Sequence, residues 1–133
     1  MNLKIYTDGG SRNNPGPAAI GIVIKDDKGT VLEKISKYLG VKTNNQAEYW
    51  GVIEALKNAK KFQPQVINFY LDSQLVVEQL NKKFKVKDKE LAPLFVQVWN
   101  LTLNFKKVKF NYLPREQNKE ADFLVNQCLD KYK

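Results

Sequence analysis

The chain has 133 residues, 43% of them apolar, a net charge of +8 and a single cysteine, Cys128. This is the length of one domain with enough apolar residue to bury a core, and its longest apolar run, Ala18–Ile24, is too short to cross a membrane. An internal disulfide is excluded, and the absence of histidine removes imidazole ligands and a histidine general base.

Leu3, Ile5 and Thr7 form one apolar alternation, and Ile20, Ile22 and Ile24 form a second after a Gly/Asn/Pro-rich turn. The spacing predicts a β-hairpin with strands near Leu3–Asp8 and Ala18–Lys25. Asp26-Asp27-Lys28-Gly29 is turn sequence, and a third strand near Thr30–Leu39 completes an antiparallel meander. A helix follows, with Asn44 or Asn45 as its cap. Glu48, Gly51, Val52, Ala55, Leu56 and Ala59 fall on one stripe of that helix, so Glu48 faces the core.

After Pro64, the run Val66–Asp72 is almost continuously apolar. That predicts a central strand covered on both faces and parallel to the first. Ser73 caps a helix over Gln74–Asn81. Lys82–Lys89 is the densest basic run, with Phe84 and Val86 interleaved, and reads either as a solvated linker or as a contact with a nucleic-acid backbone. Leu91, Leu94, Phe95, Val98, Leu101 and Phe105 mark another amphipathic helix. Val108, Phe110 and Tyr112 form a fifth strand, LPREQN is a loop, and the last helix carries Ala121, Leu124, Val125, Cys128 and Tyr132 on one face.

The order β-β-β-α-β-α-α-β-α predicts an α/β fold with a five-stranded mixed sheet flanked by helices. Asp8 and Asp72 then end neighbouring parallel strands, where such sheets usually bind ligands. Glu48 arrives from the first helix, and Asp122 lies one turn into the last. Each acid alone fits a turn, a cap or a solvated face. Together they make a hard oxygen cage suited to Mg²⁺ or Mn²⁺. Two such ions about 4 Å apart activate a water and stabilise a leaving oxygen.

The segments TDGGSRNNPGPAAIG, TNNQAEYWGVIEAL, YLDSQLVVEQLN and PREQNKEADFLVN together resemble type 1 ribonuclease H, in its compact archaeal and bacterial form. The resemblance covers nearly the whole chain. It implies a ribonuclease H-like fold, a single catalytic domain over 1–133, and endonucleolytic cleavage of the RNA strand of an RNA–DNA hybrid. Two divalent ions would act, leaving a 5′-phosphate and a 3′-hydroxyl. By motif position Asp8, Glu48, Asp72 and Asp122 match the metal-binding acids, and Asn14, Asn45 and Gln46 match positions that contact the hybrid. Glycine leaves room for the backbone amides of Gly9, Gly10 and Ser11 to approach the RNA strand. Members often carry a histidine in the loop before the last acid, assigned to product release; here Arg115 stands in that loop. RNA duplex is a possible second substrate.

A non-catalytic duplex-binding module is a competing reading that predicts the loss of an acid, and all four are present. A strand-transfer enzyme on the same fold is another, against which the Asn45-Gln46 pair argues. The basic balance, with every cation but Arg12 and Arg115 a lysine, favours nucleic acid as partner over an anionic membrane, although lysine-rich composition alone would also give it. The opening MNLKIYTDGG has no signal-peptide pattern, and the lone cysteine fits a reducing compartment, so a cytoplasmic monomer is expected.

Overall fold

The structure, a computed structural model, describes residues 1–132. Strands β1 (Asn2–Ser11), β2 (Gly16–Lys25) and β3 (Val31–Lys42) form the antiparallel meander. Helix α1 (Asn44–Ala59) crosses over to β4 (Val66–Leu71), which lies parallel to β1. Helices α2 (Gln74–Leu80) and α3 (Ala92–Thr102) lead to β5 (Lys107–Tyr112), parallel to β4, and α4 (Lys119–Asp130) closes the chain. The sheet order is β3-β2-β1-β4-β5. Among the described residues no helix is long and apolar enough to cross a membrane.

The two faces of the sheet are covered unequally. On one face Leu3, Ile5, Ile20, Ile22, Ile24, Ile67 and Phe69 pack under α1, α2 and α3 in the main core. On the other, α4 packs over β2, β1 and β3, around Ala19, Val125, Cys128 and Leu129. This corrects the expectation that β4 is covered on both sides. Ile67, Phe69 and Leu71 are buried, whereas Val66, Asn68 and Tyr70, at the alternate positions, are only half-buried. The polar Asn68 and the tyrosine hydroxyl sit where water can reach them.

Two boundaries also differ from expectation. Strand β1 does not stop at Asp8 but runs on to Ser11, because Gly9, Gly10 and Ser11 pair with Ile20, Ala19 and Ala18. Its pairing with β4 stops earlier, at Tyr6 and Tyr70. Asp8 thus lies beyond the last β1–β4 pair yet stays fixed by β2. The cap of α1 is Thr43, one residue before the expected asparagines. Its hydroxyl accepts from the Gln46 N–H at 3.1 Å, and the Gln46 side-chain oxygen accepts from the Thr43 N–H at 2.8 Å. This reciprocal capping box satisfies two donors at once and fixes where the helix begins.

Helix α4 approaches the sheet through Gly21. A Cβ there would lie 2.2 Å from the Ala121 carbonyl oxygen and 2.9 Å from the Leu124 Cβ. Gly21→Ala should therefore lower the free energy of unfolding by about 1–3 kcal/mol, as overpacking does. Urea denaturation followed by circular dichroism checks this, and an unchanged stability would show that α4 shifts without cost.

Candidate functional site

Three of the four acids meet at the floor of one cleft. One carboxylate oxygen each from Asp8, Glu48 and Asp72 lies within 4.8 Å of the others. Asp8 and Glu48 are buried and Asp72 is half-buried. The cleft is open, about 410 Å³ in volume, and its walls include Gly10, Asn44, Asn45, Arg115, Asp122 and Asn126. Asp122 stands outside the tight triad, on the wall contributed by α4, so the predicted ring of four is three acids with a fourth beside them. The Arg115 guanidinium reaches to 3.9 Å from Asp122 and is 78% exposed.

Neutral donors hold the triad. The Gly9 N–H is shared between the Glu48 carboxylate at 2.8 Å and the Asp8 carboxylate at 3.0 Å. The Asn118 side-chain amide donates to Asp72 at 3.1 Å and to the Thr7 carbonyl at 2.9 Å. Ser73, not Asp72, caps α2, accepting from the Val76 N–H at 3.3 Å.

Burial and mutual repulsion raise the acids. Asp8 is pushed up to about 7, by burial first, then by the charges of Asp72 and Asp122, against a lowering hydrogen bond with Glu48. Glu48 is driven well above the usual carboxylate range by burial and by Asp8. Asp72 is raised by burial, opposed by Asn118 and Arg115. The second Glu48 oxygen, Oε2, is buried without a hydrogen-bond partner. An orphaned carboxylate oxygen beside two further oxygen donors suits a hard divalent cation, so these residues could hold a metal ion.

The remaining predicted residues divide. Gly10 and Asn45 line the cleft. Gly9 does too, but its amide is spent on the two carboxylates, and the space a side chain would fill is taken by the Ala47 carbonyl group at 2.3 Å. The room expected for a ligand is room for α1. The Ser11 N–H is likewise committed, to the Asn44 side chain at 2.8 Å. Asn14 accepts from the Asn44 N–H at 2.9 Å, so it ties the hairpin loop to the start of α1. Gln46 uses its oxygen in the cap and donates its amide to Glu90 at 3.0 Å. That bond ties Glu90, just past the Lys82–Lys89 run, to the first turn of α1.

Sequence reasoning missed Asn44, Asn118 and Asn126. Asn126 donates to the Asp122 carbonyl at 3.2 Å and to its carboxylate at 3.4 Å. Asn118 occupies the N-cap of α4, a legible position, but makes no side-chain cap bond because its amide turns inward. Nothing in the structure explains why Phe123, beside Asp122, is 62% exposed.

A family described as reverse transcriptase-like matches residues 6–128. The chain is 39% identical over 128 residues to "Ribonuclease HI" of Halobacterium salinarum, covering 96% of this chain and 64% of that protein. It is 41% identical over 131 residues to "Bifunctional protein Rv2228c" of Mycobacterium tuberculosis, covering 98% of this chain and 36% of that one. The chain thus spans about a third of the mycobacterial relative and less than two thirds of the halobacterial one. Among solved structures, LC11-RNase H1 in complex with an RNA/DNA hybrid superposes with a TM-score of 0.94 at 40% identity, over 98% of each chain.

Two predictions follow from the triad. Carboxyls with raised pKa keep protons in the folded state that the unfolded chain releases, so stability falls as pH rises. The metal-free protein should be most stable below about pH 4 with respect to this site and should lose on the order of 2–4 kcal/mol as pH rises to about 7. Asp8→Asn should remove the share that Asp8 itself contributes and leave a shallower loss, because burial still raises Glu48; parallel pH dependences for the two proteins in thermal denaturation with EDTA would refute it. Asn118→Ala should cost about 1–3 kcal/mol, because Thr7 and Asp72 each lose a partner. Denaturant titration measures this directly.

Proposed function

The chain belongs to the ribonuclease H family, and on that premise we propose that it hydrolyses the RNA strand of RNA–DNA hybrids, with residues 1–133 acting as one catalytic domain. The observation that carries the reading is the triad itself: three acids within 4.8 Å, raised by their burial, with an orphaned oxygen on Glu48. Metal ions held at such a site remove the need for a histidine base.

In this reading Asp8, Glu48, Asp72 and Asp122 hold two Mg²⁺ ions, with Mn²⁺ as substitute. Bound there, the ions would supply Lewis-acid activation of a water and charge stabilisation for a departing 3′-oxygen, the chemistry that fits 5′-phosphate and 3′-hydroxyl products. The Gly9 N–H keeps Asp8 and Glu48 in register, and Asn118 aims Asp72. Arg115, exposed at the rim, meets the scissile phosphate or the departing product. Asn45 lines the cleft and reads the minor groove, where 2′-hydroxyls distinguish RNA from DNA. Asn14 retains its amide N–H₂ for the same purpose, and Gln46 must release Glu90 to take part. Gly10 is the remaining backbone approach point for the RNA strand. Lys82–Lys89 carries the outgoing backbone. Cleavage of RNA duplex as a side activity, a monomeric state and a cytoplasmic setting complete the proposal; the lone Cys128, buried and free, supports the last.

End-labelled hybrid, with the matching DNA and RNA duplexes as controls, tests this in Mg²⁺, Mn²⁺ or EDTA. The expected result is metal-dependent cutting of RNA within the hybrid, at least about 10³-fold lower in Asp72→Asn, a loss typical of removing a key electrostatic group. The metal-free variant should melt no lower than wild type, since one repelling charge is gone. Binding of hybrid without cutting under any metal would replace the enzyme by a binding module.

A further inference from the structure

The face of the sheet that α4 leaves uncovered is not a neutral surface. Register places Lys4, Asn68 and Lys109 side by side across β1, β4 and β5, with Tyr6 beside Tyr70 in the next row out and Lys107 in the row before. Lys25 of β2 pairs with Lys4 on the other side. Lys4, Lys107 and Lys109 are exposed, and none makes an ion pair among the described residues. No acid occupies the array itself. Glu120 stands at its edge, paired with Lys25 at 3.1 Å, and Glu116 lies in the neighbouring turn.

Edge-strand lysines that block sheet-to-sheet association would account for Lys107 and Lys109 on β5. They do not account for Lys4, which lies on an inner strand. Parallel neighbours such as β1 and β4 are ordinarily covered on both faces, and here one face offers ammonium groups and phenols to water. Tyr6 and Tyr70 stack with centroids 5.0 Å apart and an interplanar angle of 19°. The Lys25 ammonium sits 5.0 Å from the Tyr6 centroid. The ring pair is therefore engaged with itself and with Lys25, which leaves the ammonium groups of Lys4, Lys107 and Lys109 as the free exposed groups of the face. Such groups suit phosphate oxygens.

We propose that this face binds the phosphate backbone of single-stranded nucleic acid, at a site separate from the acidic cleft. Tyr6 and Tyr70 precede Asp8 and Asp72 by two residues on the same side of the sheet, so the patch begins roughly 7 Å from the acids. The binding itself does not depend on the ribonuclease reading.

Fluorescence anisotropy with a labelled 20-nucleotide oligothymidylate, in EDTA and at several salt concentrations, tests the site without any cleavage. Lys4→Glu/Lys109→Glu should bind about tenfold more weakly, with a log–log salt slope shallower by roughly 1.4, two contacts at about 0.7 each. Lys57→Glu/Lys60→Glu, exposed at the end of α1, changes net charge equally and should bind within about twofold of wild type. Equal losses in both variants, or none in the first, would overturn the proposal. So would failure of wild type to bind the oligonucleotide while binding phosphatidylserine vesicles, which would make the face a membrane contact. Cleavage of a blunt hybrid should be unchanged in the first variant, while any advantage of a single-stranded tail disappears. An inactive protein that still shows the anisotropy difference would refute the nuclease reading alone.

Discussion

Everything at the site depends on how closely two backbones touch at Gly9. The carbonyl group of Ala47 occupies the space that a Cβ on residue 9 would need, and the Glu48 nitrogen would lie 2.6 Å from it. Only glycine allows α1 to lie so near β1. The approach brings the Gly9 N–H within reach of Asp8 and Glu48 together, so one donor sets the spacing of two acids that are 40 positions apart in the chain. Gly21 does the same for α4 on the opposite face. Side-chain packing tolerates small adjustments at such contacts; two peptide groups in van der Waals contact tolerate very few.

The electrostatics follow from who holds the acids. The protein carries a net charge of +8, yet the cations lining the cleft are engaged at its rim. Arg12 pairs with Asp130 at 2.7 Å, and Arg115 leans toward Asp122. Asp8, Glu48 and Asp72 are oriented instead by a peptide N–H and a carboxamide. A neutral donor fixes a carboxylate without cancelling its charge, so the repulsion among the three is relieved only by a proton, as the raised pKa values record, or by a cation. A salt-bridged triad would be more stable alone and a poorer ligand. Basic residues elsewhere attract a polyanion, while the negative floor repels its phosphates unless a cation lies between them.

Much of this was legible in the sequence because it rests on periodicity. Alternating Leu3, Ile5 and Thr7, the stripe through Glu48 and the run ending at Asp72 each report the face a residue occupies, and the strand order then brings the acids together. What stayed hidden depends on pairs remote in sequence. Asn118 has the position of a helix cap, and only the nearness of the Thr7 carbonyl and Asp72 turns its amide inward. Gly9 reads as room for a ligand until Ala47 is seen filling the gap. The strand from Val66 to Leu71 looked covered on both sides because its apolar content hid the alternation of Asn68 and Tyr70 with Ile67, Phe69 and Leu71.

The uneven cover of the sheet and the position of the last acid share one cause, the size of the side chains on that face. Ala19 and Gly21 on β2 are small, and α4 settles onto them, with the Ala121 carbonyl against Gly21. One strand further, Tyr6 and Lys4 stand up from β1, and the stacked Tyr6–Tyr70 pair continues the obstruction onto β4. The helix lies over β2 with β1 and β3 on either side, and its width does not reach across β4 to β5. Its first turn then falls beside the end of β1, which puts Asp122 at the wall of the cleft and Asn118 at the junction between Thr7 and Asp72.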